Sequence, residues 1–223
     1  MICPKPLKEA HEKLQQKIFV MLPEKWDKLY LYASVIDHFN DMQTGEMFFF
    51  YYPKGVLKKR PVNVYEVPTK FNIDEKQYFK LADDLYESIK ELRKECMANH
   101  EKPWSNMTIS IEKLTYRVEY GYEELNVSEF DSNARHLIWG YKYLKTPYES
   151  FNKKEKEIID RYERSKKEPV KVFELPLYTR EVAKELKTKK QMEKNLNFVT
   201  EEAIKEMEFK RNYVPKSQIL NVK

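Results

Sequence analysis

Five consecutive aromatic residues constrain the fold of this chain more than any other feature. They are Phe48, Phe49, Phe50, Tyr51 and Tyr52, within the segment GEMFFFYYPKG at residues 45–55. Successive side chains of a β-strand point to opposite faces of the sheet, so this run presents aromatic rings on both faces. The run therefore predicts a strand in the interior of a sheet, with further structure packed against each face.

Alternating patterns around the run predict three more strands. The segment KLYLYASVI, 28–36, is joined to the aromatic strand by a polar stretch that ends at Gly45, which predicts an antiparallel hairpin. A second hairpin is predicted from NMTISIEKLTYRVEYGY, 106–122, whose strands have one apolar and one polar face. The segment VNVYEV, 62–67, is compatible with a short edge strand.

Helical patterns separate and follow these strands. Residues 6–22 carry an apolar stripe at helical spacing. A second helix is predicted over about 74–98, with Asp74 as its N-cap, and it is expected to cover one face of the aromatic sheet. Two more helices are predicted near the end of this region, one capped by Ser128 and one opened by a capping box at 146–149.

These elements follow the order α-β-β-α-β-β-α-α along the chain. This order predicts an α+β domain over residues 1–165, with an antiparallel four-stranded sheet packed by helices. Residues 166–223 are predicted as a basic, partly helical C-terminal extension. Residues 1–160 carry 25 Lys and Arg against 26 Asp and Glu, whereas residues 161–223 carry 16 against 10. Such a charge difference bears on binding partners rather than on the fold.

Composition excludes several classes of protein. Charged residues make up 35% of the 223 residues, and the longest apolar runs have the length of a strand. They fall far short of the roughly 18–20 residues that a bilayer-spanning helix needs. The N-terminal segment has no apolar core of a signal peptide, and Cys3 and Cys96 form no disulfide framework. We therefore expect a cytoplasmic protein that contacts no membrane.

The sequence contains no recognisable catalytic or metal-binding constellation. The four glycines lie far apart, which excludes the glycine-rich phosphate loops, and the four histidines lack metal-ligand spacing. Cys96 falls on an apolar helical stripe, where a buried, unreactive thiol is expected. The carboxylate pairs at 83–84 and 123–124 have no base or metal ligand at a sequence spacing that would indicate a catalytic site. We expect neither enzymatic activity nor a cofactor.

One cluster of tyrosines and acids suggests binding chemistry. Its members, at a strand end, a turn and a helix start, are Tyr120, Tyr122, Glu123, Glu124, Glu129 and Asp131. Tyrosine offers a large contact area at low entropic cost, and acids beside it suit a basic partner or imitate a phosphate backbone. The alternative is a solvated turn followed by the acids that any helix N-terminus favours. The residues alone favour neither interpretation.

Six segments spread over roughly residues 5–163 carry a family resemblance. They are KWDKLYLY (25–32), GEMFFFYYP (45–53), FNIDEKQYFKLADDLYESIKELR (71–93), PWSNMTISIE (103–112), YGYEELNVSEFD (120–131) and IWGYKYL (138–144). In this order they resemble the YezG/EsaG-type immunity proteins, antitoxins of nuclease toxins that Gram-positive bacteria export by type VII secretion. The resemblance implies that the aromatic strand belongs to the central sheet. It also implies a cognate nuclease toxin as partner, neutralised in the producing cell and escorted before export. The family offers no counterpart for residues 166–223.

Two other functions stay open from the residues. A nucleic-acid-binding module would use the Lys-rich tail, although its lysines alternate with glutamates as on solvated helix faces, and only Tyr213 offers a stacking platform. A hydrolase built from dispersed carboxylates is a third alternative. We predict an immunity protein that binds its toxin through the tyrosine and acid cluster, without cofactor, metal or direct nucleic-acid contact. Charge reversal of the four acids is expected to slow association and to leave folding intact.

Overall fold

The computed structural model describes residues 4–38, 42–55, 60–113, 115–165 and 170–176. Its helices are α1 (Lys5–Val20), α2 (Val67–Phe71), α3 (Glu75–Ala98), α4 (Ser132–Trp139) and α5 (Lys153–Arg164). Its strands are β1 (Trp26–Ser34), β2 (Ile36–Asp37), β3 (Gln43–Thr44), β4 (Met47–Pro53), β5 (Val62–Asn63), β6 (Asn106–Glu112), β7 (Thr115–Gly121) and β8 (Lys171–Pro176). A π-helical turn, Gly140–Leu144, continues α4. The fold is α+β, as predicted.

Six strands form one antiparallel sheet in the order β5-β4-β1-β6-β7-β8. In the middle of this sheet, Leu31 of β1 pairs with Phe49 of β4 on one side and with Ile109 of β6 on the other. The strands β2 and β3 pair with each other and form a small hairpin between β1 and β4. The four predicted strands are all present, and the aromatic strand β4 lies in the interior of the sheet, as its sequence requires.

The predicted number of strands is wrong, because an edge strand is added on each side of the sheet. The segment 62–67, which is compatible with a short edge strand, forms one only at Val62–Asn63 (β5), and its remaining residues enter a 3₁₀ turn and α2. The strand β8 lies within the segment predicted as a helical extension, yet it pairs with residues Thr115 to Tyr120 of β7. The strand β8 forms because it pairs with β7, which lies more than fifty residues earlier in the chain. The local sequence pattern does not reveal such a distant pairing. Residues 177–223 lie outside the described residues.

The helices α1 and α3 cover one face of the sheet, as predicted for α3. Their buried apolar side chains are Leu7, Leu14, Ile18, Tyr78, Ala82, Leu85, Ile89, Leu92 and Cys96. These side chains form one core with Leu29 and Leu31 of β1 and with Phe49 and Tyr51 of β4. Full burial of one such side chain contributes roughly 1.5–3 kcal/mol, so this layer is the main source of stability.

The opposite face of the aromatic strand is covered by α4 and the π-helical turn. His136 stacks on Phe48 with ring centroids 4.3 Å apart, and Trp139 is tilted against the same ring at 6.0 Å. The hydroxyl of Tyr52 donates a hydrogen bond to the carbonyl of Leu144 at 3.0 Å. The run of five aromatic residues is therefore enclosed between two helical layers.

The helices α3 and α4 begin at carboxylates. The side chain of Asp74 accepts a hydrogen bond from the backbone N–H of Gln77 at 2.8 Å, which confirms it as the N-cap of α3. The prediction that Ser128 caps α4 is wrong, because Asp131 is the N-cap. The Ser128 hydroxyl instead accepts from the N–H of Phe130, within the turn that precedes the helix.

The predicted start of the last helix is also wrong. Residues 146–149 precede and enter a 3₁₀ turn, Tyr148–Ser150, and extended backbone at Phe151 prevents that turn from continuing as a helix. The helix α5 begins after Asn152, whose side chain accepts from the backbone of Glu155 while the Glu155 carboxylate accepts from the backbone of Asn152. This reciprocal capping box fixes the start of α5.

A buried arginine ties α3 to the hairpin of β2 and β3. The guanidinium of Arg93 donates to both carboxylate oxygens of Asp37, at 3.1 and 2.6 Å, and its Nε donates to the carbonyl of Trp104 at 2.7 Å. These hydrogen bonds hold the pKa of Asp37 below its usual value. The three hydrogen bonds join α3 to β2 and to the segment that precedes β6.

A buried histidine joins α1 to the strands β7 and β8. The Nδ1 atom of His11 lies 3.1 Å from the hydroxyl of Tyr116, and its Nε2 atom lies 3.2 Å from the hydroxyl of Tyr120. The ring of Phe173 in β8 stacks on the imidazole at 5.0 Å. A neutral imidazole has one donor and one acceptor nitrogen, so one hydroxyl accepts and the other donates. Burial lowers the pKa of His11 to about 4, which keeps it neutral at pH 7.

Candidate partner-binding surface

The six residues predicted to bind a partner lie on or beside the connection from β7 to α4. Residues 122–131 form this connection, and we call it the acidic loop. It contains a 3₁₀ turn, Leu125–Val127, and Leu125 is buried against the body of the protein. Five of the six predicted residues belong to the acidic loop, whereas the sixth, Tyr120, belongs to β7.

Tyr120 faces the protein interior. Only 3% of the residue is exposed, its hydroxyl meets His11, and its ring lies 5.5 Å from that of Trp104. Burial raises the pKa of Tyr120 well above the usual value. The structure therefore places this tyrosine in the core and does not bring it to the surface that the acids form.

Tyr122 and Glu123 are half-buried at the start of the acidic loop. The ammonium group of Lys102 lies 5.6 Å from the centre of the Tyr122 ring. Glu123 accepts a hydrogen bond from the side-chain amide of Asn106 at 3.1 Å, which holds the loop against β6. A Cβ atom at Gly121 would lie 2.5 Å from Asn106 Oδ1, so a larger residue there would displace the side chain that holds Glu123.

The outer part of the acidic loop presents an acid and an apolar group to solvent. Glu124 is exposed, and Val127 is 76% exposed, more than any other large apolar residue in the described ranges. A single exposed valine is ordinary on a protein surface. Here it forms an apolar tip bordered by acids, and interfaces commonly combine an apolar centre with a polar rim.

The last two acids already have partners within the protein. Arg161 of α5 lies 3.7 Å from Glu129, and both side chains are about half exposed, so this ion pair contributes little to stability. Asp131 accepts a hydrogen bond from the backbone N–H of Ala134 at 2.8 Å as the cap of α4. Reversing the charge of Asp131 would remove that cap. The expectation that charge reversal leaves folding intact therefore does not extend to Asp131.

The sequence interpretation missed three residues that lie close to Glu123. Tyr32 belongs to β1 and is 6% exposed, Glu46 directly precedes β4, and Arg135 belongs to α4. Arg135 forms an ion pair with Glu46, and their side chains are 13% and 18% exposed. We call Tyr32, Glu46, Glu123 and Arg135 the polar recess. The sequence indicated this recess by one feature alone, the charged residue Glu46 directly before the aromatic strand.

Close packing at Gly45 positions Glu46 in the polar recess. A Cβ atom at Gly45 would lie 2.0 Å from the carbonyl oxygen of Ser34 and 2.0 Å from the hydroxyl of Tyr86. That hydroxyl donates to the same carbonyl at 2.8 Å, and the N–H of Glu46 donates to the Ser34 hydroxyl at 3.0 Å. A larger residue at position 45 would push the chain away from β1 and displace Glu46.

Two carboxylates dominate the electric field of the polar recess. Burial raises the pKa of Tyr32, and the charges of Glu123 and Glu46 raise it further. Burial alone would lower the pKa of Arg135, but its hydrogen bond to Glu46 and the charges of both glutamates raise it overall. The recess thus combines one guanidinium with two carboxylates and has an excess of negative charge.

The described ranges meet neither the requirements of a metal site nor those of a membrane-spanning helix. Within those ranges, no three His, Cys, Asp or Glu side chains come together as a set of metal ligands. None of the described helices combines the length and the apolar composition needed to cross a bilayer. A separate open groove of about 550 Å³ lies beside α5, and its lining includes Lys142, Lys145 and three tyrosines.

The described fold and its acidic loop belong to a region that matches a known family. A family model described as immunity protein YezG-like matches residues 7–160, well over half of the chain. The chain belongs to the YezG-like immunity protein family. This membership gives the chain an immunity role, and immunity proteins of this kind are in general not enzymes. The matched residues include the acidic loop and the polar recess and end before β8.

Three relatives are similar to the same part of the chain. Immunity protein YezG of Bacillus spizizenii is 30% identical over 137 residues, which cover 61% of this chain and 81% of the relative. Immunity protein YezG of Bacillus subtilis is 27% identical over 139 residues, covering 62% and 87%. Type VII secretion system protein EsaG of Staphylococcus aureus is 26% identical over 138 residues, covering 61% and 80%.

Proposed function

We propose that this chain binds and neutralises a nuclease toxin inside the cell that produces both proteins. Membership of the YezG-like immunity protein family carries the proposal, and the acidic loop supports the choice of a nuclease. A nuclease must hold the phosphate backbone of its substrate with lysine and arginine side chains. An immunity protein that presents acids to this groove would compete with the nucleic acid for the same positive charges.

The arrangement of the acidic loop suits fast binding to a basic surface. Glu124 and Glu129 are exposed, Glu123 is half-buried beside them, and Val127 stands between them as an apolar contact. Complementary charge raises the association rate of two proteins, and the increase is lost at high salt. Fast association matters for immunity, because each newly made toxin molecule has to be captured before it cleaves nucleic acid.

We also propose that the chain stays with its toxin until type VII export. The relative EsaG from Staphylococcus aureus is named as a type VII secretion system protein, which supports this part of the proposal.

The test uses the purified full chain and the nuclease encoded beside it. Wild-type protein should inhibit the nuclease at a 1:1 ratio, with an association rate that falls as salt is added. A triple variant, Glu123→Lys, Glu124→Lys and Glu129→Lys, should associate at least about tenfold more slowly at low salt. Asp131 is left unchanged because it caps α4.

A matched control changes the same amount of charge elsewhere on the protein. Glu9, Glu75 and Glu91 are exposed residues of α1 and α3, on the layer that covers the other face of the sheet. Their triple replacement by lysine should leave the association rate within about twofold of wild type. Equal slowing by both triple variants would show that only net charge matters and would contradict the assignment of the acidic loop.

A further inference from the structure

The polar recess contains buried polar atoms that the rest of the described chain does not satisfy. They are the hydroxyl oxygen of Tyr32, Glu46 Oε2 and Arg135 Nε. A buried polar atom without a hydrogen-bond partner costs on the order of 1–3 kcal/mol, so three of them in one place require an explanation. The described chain holds only six such side-chain atoms, and half of them belong to this one recess.

The hydroxyl of Tyr32 differs in this respect from those of other buried tyrosines. The hydroxyls of Tyr116 and Tyr120 meet His11, and Tyr78 donates to the carbonyl of Met21 at 2.7 Å. Ser34 lies near enough to Tyr32 to affect its pKa, but the two hydroxyls do not reach hydrogen-bond geometry.

The charges around Tyr32 indicate what kind of group would satisfy it. Glu46 uses one carboxylate oxygen for Arg135, which leaves Oε2 as a buried acceptor. Glu123 accepts from the side-chain amide of Asn106 at 3.1 Å. Asn106 is paired with Ser34, whose N–H donates to the carbonyl of Glu46 at 2.9 Å. Glu123 and Glu46 therefore flank the same end of β1. The side chains of Arg135 and Glu46 are 13% and 18% exposed, so the edge of the recess lies at the protein surface. Glu46 Oε2 and the Tyr32 oxygen are acceptors in a negative field, and a positively charged donor would satisfy both; the Arg135 Nε is itself a donor and is not satisfied by such a group.

We infer that the polar recess receives an arginine side chain of the toxin. Arginine carries five N–H donors in a planar fork and no acceptor, so one guanidinium can serve Glu46 Oε2, the Tyr32 oxygen and Glu123 together. It is also less strongly hydrated than the ammonium of lysine, which lowers the cost of moving it into a half-buried site. This inference rests on the proposed function and adds a specific anchor to the interface.

The test is the variant Tyr32→Phe in the full chain, measured against the neighbouring nuclease. Removing a hydroxyl that has no partner in the free protein should leave the urea midpoint of unfolding unchanged or raised. The dissociation constant for the toxin should rise about tenfold, because a hydrogen bond to a charged group is lost. The matched control is Tyr30→Phe on the same strand and the same face, which should change neither quantity.

A double-mutant cycle identifies the incoming side chain. Arginines of the toxin surface are replaced one at a time by lysine, and binding is measured with wild type and with Tyr32→Phe. One replacement should weaken binding to wild type much more than binding to Tyr32→Phe, which reveals direct coupling. If Tyr32→Phe binds as tightly as wild type, or if it unfolds more easily, the recess is an internal polar network and the inference is wrong. Failure of wild type to bind the nuclease at all would instead refute the proposed function, and the inference with it.

Discussion

The buried histidine makes the stability of this fold depend on pH in a way that can be calculated. His11 lies between the hydroxyls of Tyr116 and Tyr120 and beneath the ring of Phe173. Burial lowers its pKa from 6.5 to about 4. The unfolded chain therefore binds this proton more readily than the folded chain, and stability falls as the pH drops from about 6.5 toward 4.

The size of this effect follows from the two pKa values. Above pH 7 the imidazole is neutral in both states, so it adds no pH dependence there. With a pKa of 6.5 unfolded and about 4 folded, lowering the pH from about 7.5 to about 5 should remove about 2 kcal/mol of unfolding free energy. This is a large part of the roughly 5–15 kcal/mol that stabilises a typical domain.

Urea unfolding followed by circular dichroism at these two pH values measures the effect. The variant His11→Gln keeps a donor and an acceptor for the two tyrosines but does not titrate, so its stability should change by much less over the same interval. The control His100→Asn replaces an exposed histidine whose left-handed backbone, with φ of 61°, suits asparagine. It should keep the wild-type pH dependence. Equal pH dependence of wild type and His11→Gln would refute the assignment of the effect to His11.

Three further predictions concern the parts that hold the candidate surface in place. Arg93→Met should lower the free energy of unfolding by about 2 kcal/mol in urea titrations, because it breaks the bonds to Asp37 and to a backbone carbonyl. Asp131→Ala should lower it by about 1 kcal/mol through loss of the α4 cap, with a matching drop in thermal midpoint. A chain that ends after residue 165 should be less stable than one that ends after residue 176, because it lacks β8. The shorter chain should also self-associate in sedimentation experiments, since it exposes the edge of β7.

The main layers of the fold could be predicted because their patterns are local. Alternation along β1, β4, β6 and β7 assigns each side chain to a face, and helical spacing does the same for α1 and α3. The aromatic run predicted that further structure packs against both faces of its strand, and α3 and α4 pack there. The cap of α3 could be predicted because Asp74 is followed by Gln77 at the third helical position and by a clear apolar stripe.

The incorrect or absent predictions concern positions where several residues could cap the same helix, or where segments distant in sequence come into contact. Ser128 and Asp131 are both good caps within four residues, and only the turn of the acidic loop decides between them. The strand β8 depends on the free edge of β7. The polar recess joins a residue of β1, the residue before β4, a residue of the acidic loop and a residue of α4, and their separation in sequence conceals their proximity. Tyr120 was assigned to the surface because the strand pattern shows which residues share a face but does not show that this face is covered by α1 and α3.

Survival of cells that make the neighbouring nuclease tests the central claim most directly. The nuclease is co-expressed with the full chain, with the triple lysine variant of Glu123, Glu124 and Glu129, or with the matched control of Glu9, Glu75 and Glu91. Equal protein levels are verified by immunoblot. The account predicts survival with wild type and with the control, and death or strong growth inhibition with the acidic-loop variant. Death with the wild-type chain at a confirmed protein level would contradict immunity against this nuclease, and full survival with the acidic-loop variant would contradict the proposed surface.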